Sequence, residues 1–96
     1  ISRMGYAIYF VNCDERKICT QMNFYAGFLD VKPDAGALNA WNSTKRFGRA
    51  YADADGDASI EMDINIAGGV SRDSMVSSFE IWRLVLRQYA EHVGFN

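Results

Sequence analysis

One proline, one histidine and two cysteines stand among the 96 residues, and each scarcity removes a class of protein. With so little proline and no Gly/Ser-rich stretch there is no linker, so residues 1–96 read as a single domain, too short to enclose two separate cores. The lone histidine, His92, sits near the chain end and leaves general-base catalysis at neutral pH without its usual residue. Two cysteines do not define a disulfide-rich scaffold. Positive charge is scarce too. With 10 basic against 12 acidic residues, the net charge of −2 lacks the basic footprint of a nucleic-acid binder. The longest apolar run, Tyr6 to Val11, is far below the roughly 20 residues of a bilayer-spanning helix. Neither nucleic acid nor membrane insertion is expected. What the chain does have is apolar content, 49% of its residues, enough for a core.

The pattern of those apolar residues predicts the elements. Tyr6–Val11 and Thr20–Phe28 are rich in β-branched and aromatic residues and are separated by polar Asn12 to Lys17, so they read as a hairpin. Pairing Cys13 with Cys19 places Phe10 opposite Met22, Ile8 opposite Phe24 and Tyr6 opposite Ala26, giving one apolar face and a more mixed one. Lys32-Pro33-Asp34 ends the second strand and supplies an N-cap, after which Leu38, Trp41 and Lys45 recur at helical spacing through about Arg46. Phe47–Asp53 and Ala58–Ile66 flank Asp55-Gly56, the dipeptide of a two-residue type I′ turn, and predict a second hairpin. Ile60, Met62, Ile64 and Ile66 alternate with Glu61, Asp63 and Asn65, so one face of that strand is buried and the other is acidic. After Gly68-Gly69, Ser71 caps a long helix whose core stripe is Met75, Phe79, Trp82, Leu86, Tyr89 and Val93. The order strand, strand, helix, strand, strand, helix predicts an α+β fold, an antiparallel sheet of two hairpins with helices on one face.

The chemical motifs are fragmentary. Asp53, Asp55, Asp57 and Glu61 hint at a calcium loop, but counting from Asp53 the glycine falls fourth rather than sixth and the twelfth position is the apolar Ile64. A solvated hairpin turn is the simpler reading, and Glu61 with Asp63 reads as a solvated acidic face. Cys13 and Cys19 leave three options open: a cross-strand disulfide pinning the hairpin, two ordinary thiols, or a zinc site short of two ligands. Lys45-Arg46-Phe47-Gly48-Arg49-Ala50-Tyr51 only superficially matches an RNA-stacking strand, and the acids after it argue against one. Gly68-Gly69-Val70-Ser71 lacks the lysine and the glycine spacing of a phosphate-binding loop.

Taken in order, Tyr9-Phe10 with Cys13 and Cys19, Leu38-Asn39-Ala40-Trp41-Asn42, Lys45 to Tyr51, Asp55-Gly56-Asp57, Ile60-Glu61-Met62-Asp63 and Gly68-Gly69-Val70-Ser71 resemble the YbjN family of bacterial domains over nearly the whole chain. The resemblance implies a fold similar to type III secretion chaperones and a regulatory role in bacterial sensory transduction. It brings no catalytic residue, cofactor or ligand. The family pattern has a further helix and strand before the residue matching Tyr6, which implies that this chain is the carboxyl-terminal part of a longer domain, with an exposed sheet edge. Members with two cysteines after the first strand look exported, which implies a Cys13–Cys19 disulfide and a periplasmic or secreted location rather than a cytoplasmic one.

The expected function is therefore a non-enzymatic module, regulatory or chaperone-like, that binds a partner protein or a second copy of itself through sheet edge and exposed aromatic surface. Trp41, Arg46, Arg49 and Tyr51 are the candidate contacts, because arginine and aromatic side chains anchor interfaces. The alternative is a small-ligand or metal-ion sensor using the acidic hairpin or the Gly68-Gly69 helix entrance. No metal and no cofactor is assigned.

Overall fold

A computed structural model describes residues 3–95. Strands β1 (Arg3–Cys13) and β2 (Cys19–Leu29) form the first hairpin; α1 (Ala35–Thr44) follows, then the hairpin of β3 (Arg49–Ala52) and β4 (Ala58–Asn65), then α2 (Arg72–His92). The strands make one antiparallel sheet in the order β1-β2-β4-β3. The architecture is the α+β arrangement that the hydrophobic periodicities predict.

The register of the first hairpin follows from alternation. Phe10 stands opposite Met22, Ile8 opposite Phe24 and Tyr6 opposite Ala26, with Cys13 opposite Cys19, because any one-residue slip would turn the apolar set of β2 away from the helices. On that face Met22, Phe24, Ala26 and Phe28 are buried and meet Ile60 and Met62 of the neighbouring β4. Both helices lie over it. Phe24 packs on Trp82 and Phe28 on Tyr89, while Trp41 meets Tyr89 edge to face at 5.1 Å. Val85 joins this core, whereas Phe79, expected inside, keeps 39% of its surface exposed and touches Phe24 only edge-on.

Besides shifts of one to three residues at the strand ends, two features differ from the pattern reading. Helix α1 ends at Thr44 rather than Arg46, because Lys45 turns extended and Gly48 takes φ +87°, which aims the Gly48 carbonyl at the Trp41 indole Nε1 3.1 Å away. The second hairpin closes through five residues, not a two-residue type I′ turn. Only Gly56 has positive φ in that loop, Gly56 N–H donates to the Asp53 carbonyl, and Asp53 N–H donates to the Asp57 carbonyl. This is a type I turn followed by a left-handed glycine. The Asp53 carboxylate locks it by accepting from the N–H groups of Asp55 and Asp57.

The first hairpin repeats the device. Asp14 accepts from the N–H groups of Arg16 and Ile18, Lys17 N–H donates to the Asp14 carbonyl, and Lys17 occupies the left-handed position at φ 65° that Gly56 holds in the other loop. Cys13 and Cys19, directly beneath that turn, are joined as a disulfide.

Candidate functional site

The expected contact residues separate into different environments. Trp41 has no exposed surface, so it is a core residue and is corrected here from its expected place at an interface. It anchors α1, of which it is the only buried side chain. Arg46 is exposed. Arg49 and Tyr51 lie on the helix-free face of the sheet, where β3 pairing sets Arg49 directly opposite Glu61.

Glu61 is the hub of that face. Its Oε2 accepts from the Tyr51 hydroxyl and lies 3.2 Å from the Arg49 guanidinium, while Oε1 accepts from Asn23 Nδ2 at 2.9 Å. Asn23 also donates to Asp63 at 2.8 Å, so one amide separates two carboxylates that would otherwise repel. Burial pushes the Glu61 carboxyl upward, but the donated bonds from Tyr51 and Asn23 and the Arg49 charge outweigh it and hold the group below its ordinary range. Burial first, and the bond to Glu61 second, push the Tyr51 phenol up to about 12. The acidic face expected from alternation is thus only partly solvated: Asp63 is exposed, but Glu61 is sequestered. A depressed carboxyl adds stability above its unfolded value and loses it as pH falls through the lower folded one. Glu61→Gln is accordingly expected to flatten the acid limb of a stability-against-pH curve below the usual glutamate range, measured by urea midpoints at stepped pH. An unchanged acid limb would show that Glu61 is not held low.

The acidic hairpin is similarly occupied from within. Asp53, Asp55 and Asp57 bring carboxylate oxygens within 4.8 Å of one another, a spacing that suits a cation. A protein cation already sits there. Lys32 Nζ lies 2.6 Å from Asp57 Oδ1 and 2.8 Å from the Asp55 carbonyl, and the same Asp57 oxygen accepts from Asp30 N–H. The hydrogen bond to Asp57 raises the Lys32 pKa despite desolvation. With Asp53 turned onto its own loop and Asp57 neutralised by Lys32, the cluster ties the β3–β4 turn to the segment after β2.

The other singled-out groups are structural too. His92 Nε2 lies 2.7 Å from the Ala37 carbonyl, and since a carbonyl only accepts, that nitrogen carries the proton; the ring also meets Trp41 edge to face. Ser71 caps α2 by accepting from Ser74 N–H, so its side chain takes up one donor of the helix entrance after Gly68-Gly69.

The two sheet edges are treated differently. At β3 the Asn42 carboxamide donates to the Ala50 carbonyl and accepts from Ala50 N–H, both at 3.0 Å, and so stands in for a neighbouring strand. At β1 no helix side chain does this among the described residues. Tyr6 and Phe10 are 66% and 61% exposed although each stands opposite a buried residue of β2. Sequence reasoning missed Asn42 as an edge cap, for which its place one residue after Trp41 was the only signal. Within the described residues no helix is long and apolar enough to cross a membrane.

No curated protein and no solved structure matches the chain significantly. A family model described as "Putative bacterial sensory transduction regulator" matches residues 2–95, nearly the whole length, so the chain belongs to the YbjN family.

Proposed function

We propose that the domain is a non-enzymatic protein-interaction module with a regulatory role in bacteria, and that it works by accepting an added strand along β1. The contrast between the sheet edges carries this reading. Exposed edge strands are normally blunted by short length, charge, proline or cover. β3 is four residues long and capped by Asn42, whereas β1 runs for eleven residues with one charge, Arg3, and no proline. The apolar row Met4, Tyr6 and Phe10 beside that edge offers side-chain contacts, while the free backbone groups offer a ladder. The polar groups of the outer face serve one another instead: Arg49, Tyr51 and Asn23 all engage Glu61, and Asn23 also donates to Asp63. The Cys13–Cys19 disulfide supports an oxidising location such as the periplasm, because reducing compartments keep thiols free.

Capture from the native bacterium, followed by mass spectrometry, tests the assignment. Partners recovered with the native chain are expected to be lost with the double variant Tyr6→Lys, Phe10→Lys and retained with Arg46→Ala, Arg49→Ala. Equal recovery by the β1 variant and the native chain would reject β1 as the binding edge.

A further inference from the structure

We infer that the helix-free face of the sheet carries a binding site for a small primary aliphatic amine, its ammonium held between the ring of Tyr9 and the carboxylate of Asp63. The inference goes beyond the edge reading and does not depend on it, because the site lies across the outer surface of β1, β2 and β4 rather than along the free edge.

Strand pairing puts the parts in one row. Tyr9 stands opposite Asn23 on β2 and Asn23 opposite Asp63 on β4, so Tyr9 and Asp63 are two strand spacings apart, about 10 Å at the backbone. The residue between them does not fill the space. Both hydrogen bonds of the Asn23 amide run to β4, at 2.9 Å to Glu61 and 2.8 Å to Asp63, which draws the carboxamide away from β1. An open cleft of about 580 Å³ results, bounded by Tyr9 and Val11 on one side and by Asp63 and Asn65 on the other, with Gln21 and Asn23 between them. Its size is that of a small-molecule site.

Charge selects the ligand. Arg49 neutralises Glu61, but Asp63 accepts a bond from a neutral amide and has no basic group within ion-pair distance among the described residues. Lys45 and Arg46 border it from the β3 side, where both are exposed, and no basic residue lines the cleft itself. The aromatic wall is free as well. Lys45 lies over Trp41 and Arg49 over Tyr51, whereas Tyr9, 53% exposed, carries no protein cation among the described residues. A carboxylate across from an uncovered ring attracts a cation from both sides, and an ammonium within about 6 Å of the ring centroid also reaches the carboxylate over this span.

The cation is organic. One carboxylate falls well short of the roughly six oxygens that a calcium ion gathers. The carboxamides of Gln21 and Asn65 supply carbonyl oxygens for further N–H groups, and Val11, 40% exposed, gives an alkyl chain an apolar strip. These features favour a primary ammonium on an alkyl chain over a quaternary one, which has no N–H to donate.

Titration of the intact, oxidised chain with n-pentylamine at neutral pH, followed residue by residue through amide chemical shifts, provides the test. Saturable shifts in the millimolar range are expected around Tyr9, Gln21, Asn23 and Asp63, and none with n-pentanol. Tyr9→Leu is expected to weaken binding roughly threefold. Asp63→Asn, which keeps an acceptor for Asn23, should weaken it roughly threefold at low salt and by less at high salt. Both side chains are exposed, so circular dichroism should show the native spectrum in each variant. Asp55→Asn, in the β3–β4 loop, should bind as the native chain does. The absence of saturable shifts would overturn the inference, as would shifts centred on the loop from Asp53 to Asp57 or undiminished binding by Tyr9→Leu. Tighter binding of Nα-acetyl-lysine methylamide than of n-pentylamine would also overturn it, since the site would then take a lysine of another protein. None of these variants touches the apolar row of β1, so loss of amine binding and loss of captured partners are separate results.

Discussion

Trp41→Ala is expected to remove about 3 to 5 kcal/mol of stability, the range for truncating a large buried aromatic side chain. That is a major part of the roughly 5 to 15 kcal/mol available to a domain of this kind. The upper half of the range applies because of what α1 depends on. The helix is ten residues long, carries no other buried side chain and is too short to persist alone. Trp41 ties it to α2 through Tyr89 and His92, and to the β3 approach through the Gly48 carbonyl. Undocking α1 would also withdraw Asn42 from Ala50, exposing a second sheet edge. Trp41→Phe keeps a ring but leaves the Gly48 carbonyl without its donor, and a smaller loss of about 1 to 3 kcal/mol is expected. Urea unfolding followed by far-ultraviolet circular dichroism measures both. A Trp41→Ala chain destabilised by less than about 1 kcal/mol would show that α1 is held by something other than this residue.

How far such dependence was legible in the chain varies with the distance over which each contact acts. The β1–β2 register was readable because the period-two pattern has only one phase that buries Met22, Phe24, Ala26 and Phe28 together, and the cysteines fall in step with it. The long helix was readable for the same reason, although a stripe drawn at ideal spacing put Phe79 inside and left Val85 out. Turn chemistry was the weaker guide. A two-residue turn at Asp55-Gly56 would set Arg49 against Met62, a charge against a core residue. The observed loop sets it against Glu61, and testing both loop lengths against the face pattern would have selected the longer one. Contacts between segments far apart in sequence had no such check. Lys32 with Asp57, Asn42 with Ala50 and His92 with Ala37 each join an ordinary polar residue to a group that only the folded chain brings near. Consequently the acids of the β3–β4 loop resembled a metal site until the lysine that neutralises them was placed.

Gly48→Ala is the second large expected loss, about 2 to 5 kcal/mol, and two independent causes contribute. The backbone there has φ +87°, in the left-handed region, where an L side chain costs roughly 1 to 2 kcal/mol. An added Cβ would also lie 3.0 Å from Val85 Cγ1 and 3.1 Å from Ile60 Cδ1, two core residues with little room to yield, for about 1 to 3 kcal/mol of overpacking. Gly68 separates the causes, because it has φ +80° but nothing within 4 Å of the would-be Cβ. Gly68→Ala should therefore show the backbone cost alone. If both variants lose the same stability in urea, the close approach of Gly48 to α2 and β4 has no energetic consequence. A further result follows from the Gly48 carbonyl, which accepts from Trp41 Nε1. Displacing the Gly48 backbone breaks the same bond that Trp41→Phe removes, so the double variant should lose less than the two single losses combined. Additive losses would mean that crowding at Gly48 is absorbed by Val85 and Ile60 and never reaches the indole.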